Sequence, residues 1–567
     1  MGPQRQSNLL TATLITALCV GCGPLEDLAS VPCTKDLNCA PGEVCGADAL
    51  CAPASAGDQR AFGEATLTVT SEDDAFLVSL VSLPMNSQSP QGDPLINVTL
   101  RGAGEGVVQK LSPTTRPTPP APNAHQASPW SERLAFDQAR HRGVQRLIDG
   151  ARAGRRTIRA PLFKNDPCAE CDALSMCWEG QCTTEVSARF ANGTPFTGTL
   201  VEVQEGPGVA FNVIVETSLT SQPTVVEAAK AAATVFQTTL EDQLTLLGGT
   251  SHGGDLDRDN DGRLNLVFTE SAVAEGVVGF FDYRDFLPAS DPHASGNESD
   301  LLWVLAPGVD GTSTDAAIGT LVHEYTHLFS FAQRVYGQSA NPAREDLWLD
   351  ESLAHTVEDL MGWGVTNIRA VEQALEEWDS TGFAARTDSV AMRGMGYTLL
   401  RYLIDVDARS RGADSASSNA ALTAATQIVT RLIQEPHQGF NHSLFQSQQP
   451  AAYGDWLLAL QTTGAENNSH PARQYLPVGT GPSGHSMGFN PRGTFQDEAQ
   501  NDVTLDSFDP EDLDGIPDDE EAELYVSGSL LFLLTGLDPG QHVIEGVGDA
   551  LVSGEATDLH LFVERLQ

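Results

Sequence analysis

The 567-residue chain carries 76 acidic and 32 basic side chains, a formal charge of −44. That balance offers no global attraction to phosphate, which argues against a nucleic-acid partner and against direct docking on anionic lipid. Its 41% hydrophobic and 19% charged content excludes a wholly disordered acidic protein, and the length suggests three or four domains at ~150 residues each.

Residues 1–22 read as an export signal: Arg5, then a largely apolar run from Leu9 to Val20, then Cys19-Val20-Gly21-Cys22. The run is too short for a membrane span, which needs ~20 residues. It resembles a bacterial lipoprotein signal in which Cys22 is lipidated, so the chain is expected on the cell envelope, anchored only there. An ordinary secretory signal is the alternative, and both export the chain. Residues 23–60 form a cysteine-rich module, with Cys33, Cys39, Cys45 and Cys51 spaced six apart. Strand-like runs in 61–110 suggest a small β domain, and 111–130 is a Pro-, Thr- and Ala-rich linker. Residues 131–165 read as a helical strap, with Leu134, Phe136, Ala139, Val144 and Leu147 at helical spacing. A second cysteine cluster, 166–184, holds Cys168, Cys171, Cys177 and Cys182. In an exported chain each group of four reads as two disulfides, with a four-cysteine zinc site as the alternative for the second. Mixed α and β patterns fill 185–470, and 471–567 is β-rich. The expected fold class is therefore α+β and multidomain.

The feature that carries chemistry is His323-Glu324-Tyr325-Thr326-His327. On a helix, residues i and i+4 share a face, so two imidazoles can converge on one metal ion with a carboxylate beside them. Asp315 is a candidate cap, and Ala317, Ile318, Leu321, Val322, Tyr325, Leu328, Phe329 and Ala332 form a core stripe. Ser330 and Gln333 exclude the metzincin pattern, which requires Gly and His there. The next source of a third ligand is the helical run from Trp348 to Glu358. Glu351, His355 and Glu358 stand there at i, i+4 and i+7, a polar stripe on an apolar helix. Glu351 is the candidate third ligand, Glu358 the candidate partner behind a ligating His, and His355 the alternative ligand. A solvated face is the competing reading.

The HEYTH motif, followed 24 residues later by the Glu of WLDESLAHTVE, resembles the gluzincin metallopeptidases. The hyicolysin family of secreted bacterial enzymes is the nearer likeness. Asp261-Gly262, Gly279-Phe280-Phe281, Asp285-Phe286 and Asn297-Glu298-Ser299-Asp300 follow a similar order upstream, so the likeness covers about residues 250–405. Ser352 departs from the usual Gly after the ligand Glu. The resemblance implies a zincin-like catalytic domain with Zn2+ on His323, His327 and Glu351, and Glu324 as general base for peptide hydrolysis. It also implies an oxyanion donor downstream, with Tyr397 the candidate and Tyr402 the alternative. The strand Leu301–Leu305 has two readings: the edge strand that pairs with extended substrate, as in thermolysin-like enzymes, or a core strand. The other readings are a surface or adhesion lipoprotein with an inactive zincin-like domain, and hydrolysis of a non-peptide bond.

Two acidic segments suggest Ca2+. Asp257, Asp259, Asp261 and Asn265 fall at positions 1, 3, 5 and 9 of an EF-hand-like loop, but Phe268 stands where a bidentate Glu belongs. The loop is complete only if another segment contributes. A second candidate spans Asp509 to Glu521.

Overall fold

The computed structural model describes residues 175–496 apart from short internal stretches, residues 140 and 142–150, and strands within 43–110 and 502–565. The export signal with Cys22, the linker 111–130 and the acidic loop 509–521 lie outside the described residues.

The architecture is mixed α+β, built on a curled six-stranded sheet. Its strands are β1 (Glu185–Arg189), β2 (Pro195–Gln204), β3 (Ala210–Glu216), β4 (Arg263–Thr269), β5 (Gly279–Phe281) and β6 (Leu301–Leu305). The spatial order is β5-β6-β4-β3-β2-β1. Strands β3, β4 and β6 are parallel to one another, while β1, β2 and β5 pair antiparallel to their neighbours. Strand β1 alternates exposed and buried residues, as a half-covered strand must, whereas β6 is buried along its whole length. Leu301–Leu305 is therefore an interior strand, flanked by β4 and β5, which favours the core-strand reading over the edge-strand one. Its LLWVL run is apolar on both faces, which suits burial between neighbours. The edge strand on that side is the shorter β5.

One face of the sheet packs against helices. Val213, Val215, Leu266, Phe268, Leu302 and Val304 join that core, while Ile214, Val267, Leu301 and Trp303 point into the opposite one. The helices are α1 (residues 142–150), α2 (Pro223–Leu247), α3 (Thr314–Phe331), α4 (Leu347–Met361), α5 (Asn367–Glu376), α6 (Val390–Ser410), α7 (Asn419–Gln434) and α8 (Ala451–Thr462). Val144, Leu147 and Ile148 place α1 in the same core, so the described part of the strap is packed on the body. Residues 474–489, expected in the β-rich tail, also belong to this body. Tyr475 donates to the Thr398 carbonyl at 3.0 Å, and the Gly488 N–H donates to Asp359 at 2.8 Å.

The strands of 61–110 do not make a sheet alone. They share two four-stranded antiparallel sheets with strands of 522–565. In one, Gln59–Val69 pairs with Gly540–Asp549; in the other, Phe76–Pro84 pairs with both Ser529–Thr535 and Thr557–Arg565. In the two small cysteine hairpins, Cys45 faces Cys51 and Cys177 faces Cys182. Cys182 is disulfide-bonded, in line with the disulfide reading of its cluster. No helix among the described residues is long and apolar enough to cross a membrane.

Candidate metal centre

Helix α3 starts on Ser313, whose hydroxyl accepts the Ala316 N–H at 3.0 Å. Ser313, not Asp315, is the cap; Asp315 lies in the first turn, where a negative charge favours the helix dipole. Every residue of α3 from Ala317 to Phe331 is buried. The polar groups of so deep a helix need partners. Gln243 of α2 supplies one, donating to the Val322 carbonyl at 2.7 Å and to Thr326 Oγ1 at 3.0 Å.

The i, i+4 spacing brings His323 Nε2 to 3.0 Å from His327 Nε2. Glu351 of α4 meets them, with Oε2 3.5 Å from His323 Nε2 and Oε1 3.7 Å from His327 Nε2. These three buried side chains could hold one metal ion. Behind them, His323 Nδ1 lies 2.5 Å from Glu358 Oε1, and Asp350 Oδ1 lies 3.4 Å from His327 Nδ1. A carboxylate at Nδ1 fixes the tautomer that leaves Nε2 free to ligate. The α4 stripe is buried, not solvated: Glu351 is 0%, Glu358 1% and His355 7% exposed.

His355 sits behind His323. Its Nδ1 faces Asn367 Oδ1 at 2.6 Å and Glu358 Oε1 at 3.1 Å. His323, His355 and Glu358 form a second possible metal group. Holding both ions would require His323 to ligate through both ring nitrogens. Burial alone would raise the Glu358 carboxyl, but His355 and His323 pull it down to about 2.

Glu324 points from α3 to the edge strand, where its Oε2 accepts the Phe281 N–H at 2.9 Å. Two arginines approach the group, and no local pattern announces either. Arg393 of α6 places Nη1 2.9 Å from Glu351 Oε2. Arg140, from the strap, places Nη2 3.0 Å from Glu351 Oε1 and Nη1 3.5 Å from Glu324 Oε2. Burial would raise the Glu351 carboxyl, yet Arg393 and the histidines hold it well below the usual range.

Ser352, where a Gly is usual, is accommodated from the other side. A Cβ on Gly396 of α6 would fall 1.8 Å from Ser352 Oγ, so the small residue has moved to the partner helix. Trp348 anchors the start of α4 among Phe383, Phe440 and Phe445.

Tyr397 is not brought to this group. Its ring packs edge-on against Phe489 at 6.0 Å, and its charged neighbours are Asp359, Arg401 and Asp405. Tyr402 packs against Tyr475. None of the described contacts of either tyrosine reaches His323, His327, Glu324 or Glu351. Helix α6 is buried on all sides from Val390 to Asp405, so its sequence marks no single inward face.

The acidic loop forms a second cluster. Asp257, Asp259 and Asp300 bring their carboxylates together and could hold a cation. Asp300 arrives from the segment before β6, the outside contribution the loop required. Asp261 and Asn265 serve as hydrogen-bonding supports: Asn212 Nδ2 donates to Asp261 Oδ2 at 3.0 Å and to Asn265 Oδ1 at 2.8 Å. Asp259 Oδ2 accepts from Ser299 Oγ at 2.8 Å and from Asn265 Nδ2 at 3.0 Å. His252 Nε2 lies 2.6 Å from Asp300 Oδ2. Burial, reinforced by Asp257 and Asp261, raises the Asp300 carboxyl well above its ordinary value. The neighbouring Asp285 and Asn297 join directly, with Asn297 Nδ2 donating to Asp285 at 2.7 Å.

Searches against protein-family models, curated proteins and solved structures returned no match to this chain.

Proposed function

We propose that the protein is an exported zinc-dependent metalloendopeptidase of gluzincin type, with a zincin-like catalytic domain resembling the hyicolysin enzymes. One observation carries the reading: the convergence of His323, His327 and Glu351 beside a Glu324 that is hydrogen-bonded to an edge strand. The donor spacing fits zinc. Ligands at about 2.0–2.1 Å in a tetrahedron stand about 3.3 Å apart, and the donor atoms here are separated by 3.0, 3.5 and 3.7 Å. Two imidazoles and one carboxylate are also the donor set of a catalytic, open zinc site.

Bound zinc supplies Lewis acidity, acidifying a water molecule and polarising a peptide carbonyl. The chain's residues do the rest. Glu324, next to His323 on the same helix, would take the proton from water and return it to the leaving amine. Glu358 holds the His323 imidazole in the ligating tautomer. Arg393 keeps Glu351 ionised. The antiparallel edge strand β5 is where an extended peptide would add backbone hydrogen bonds. We assign the Asp257, Asp259 and Asp300 cluster to a structural Ca2+, since an all-oxygen donor set suits a hard cation.

The test is digestion of casein or a peptide library by the wild type, by Glu324→Gln and by chelator-treated protein. Cleavage is expected in the first alone. If Glu324→Gln cleaves as fast as wild type, with metal bound in both, the enzyme reading fails.

A further inference from the structure

We propose that Arg140 and helix α1 form a latch that occupies the candidate centre and must withdraw before metal and substrate are fully engaged. The inference concerns regulation of the site described above and rests on the peptidase reading. A single guanidinium touches the groups that the reaction needs. Arg140 Nη2 is 3.0 Å from Glu351 Oε1, and its Nη1 is 3.5 Å from both Glu324 Oε2 and the Phe281 carbonyl. These are the third ligand, the general base and the substrate-pairing strand. Both oxygens of Glu351 are thereby engaged, Oε2 by Arg393 and Oε1 by Arg140. Arg393 belongs to the deeply buried α6. Arg140 arrives on a short surface helix, so it is the partner that can leave.

The strap is shaped for docking. Arg140, Gly143, Val144, Leu147 and Ile148 are buried, while Arg142, Arg146 and Asp149 face solvent. That is the i, i+3, i+4, i+7, i+8 stripe of an amphipathic helix, with Arg140 on its buried side. At Gly143 a Cβ would fall 2.1 Å from the Tyr283 hydroxyl, so only glycine lets the helix lie this close. Although β5 is an edge strand, all three of its residues are buried. The cavity between strap and site, lined by Arg140, Val144, Phe281, Tyr283 and His327 among others, measures about 40 Å³. Water fits there; a peptide does not.

The test uses the full chain with Arg140→Ala and Gly143→Ala. Gly143→Ala lifts the strap by collision while removing no charge. Zinc affinity is read by competition with a chromophoric chelator, and kcat/KM on a fluorogenic peptide. Both variants are expected to bind zinc at least tenfold more tightly and to cleave at least tenfold faster. Arg140→Lys, whose single ammonium cannot span all three groups, is expected between wild type and Arg140→Ala. Zinc affinities within twofold of wild type in both variants overturn the latch, as does a fall in kcat/KM for Arg140→Ala. If zinc binding tightens but no variant cuts any peptide, the latch stands and the peptidase reading falls. If wild type cuts at the variants' rate with unchanged zinc affinity, the reverse holds.

Discussion

Each candidate cation site has one fully buried carboxylate, and the two sites treat it in opposite ways. Glu351 and Asp300 are both 0% exposed. The Glu351 carboxyl is held well below its ordinary range, chiefly because Arg393 offsets the cost of burial. The Asp300 carboxyl is raised, because burial is compounded by Asp257 and Asp261. Desolvation pushes both the same way; the neighbouring charge decides the outcome. The helical site therefore stores its charge against arginines, whereas the loop site is a set of crowded acids.

The sharpest way to break this comparison is to neutralise one acid in each site. Glu351→Gln leaves Arg393 and Arg140 facing a neutral group, and breaking a buried ion pair costs about 3–5 kcal/mol. Thermal unfolding should fall accordingly, with loss of bound zinc. Asp300→Asn should leave cation-free stability unchanged or higher, and should abolish any calcium-dependent rise in melting temperature. Equal destabilisation by the two substitutions would remove the distinction.

A smaller effect is expected one step behind the ligands. Glu358→Gln should weaken zinc by about 10–100-fold while leaving the three ligands in place. Chelator competition measures it; an unchanged affinity would mean that Glu358 does not orient His323.

The acidic cluster predicts a pH signature of definite sign. Folded-state carboxyls raised above the unfolded value contribute stability at low pH. They lose it as pH rises past the unfolded value of ~3.9 and through their own raised values. Asp259 and Asp300 are both raised in this way by burial and by their acidic neighbours. Without cation, melting temperature should therefore decline as pH rises above ~4, and saturating calcium should remove the decline. Parallel curves with and without calcium would show that the cluster binds none. The smallest effect is local to α3: Ser313→Ala should cost about 1 kcal/mol through loss of the cap, with zinc affinity intact.

Much of the helical site is legible in the sequence because helical periodicity is local. His323 and His327 at i, i+4, and Glu351 and Glu358 at i, i+7, announce a shared face wherever their helices end up. Arg140 is silent because its partner Glu351 is 211 residues away, and an ion pair at that distance leaves no spacing to read. Arg393 and Tyr397 share α6 and lie one turn apart, yet only Arg393 reaches the centre; a helix buried all round offers no stripe to separate them. Asp300 completes the acidic loop across a sheet, which no loop motif encodes. The sequence of β6 leaves edge and core open because only the topology sets β6 beside β4 and three-residue β5 outside it.

One of the shared sheets ties Gln59 to Asp549 and Val69 to Gly540. The α+β body is therefore an excursion of the chain between strands that pair with one another. Such pairings have very high contact order and close last, since the loop entropy is lost before the contacts form. A chain emerging vectorially would expose the unpaired strands 59–110 until residues 522–565 arrived. Truncation from the C-terminal side should thus damage the N-terminal strands first, and would leave their edges open to aggregation.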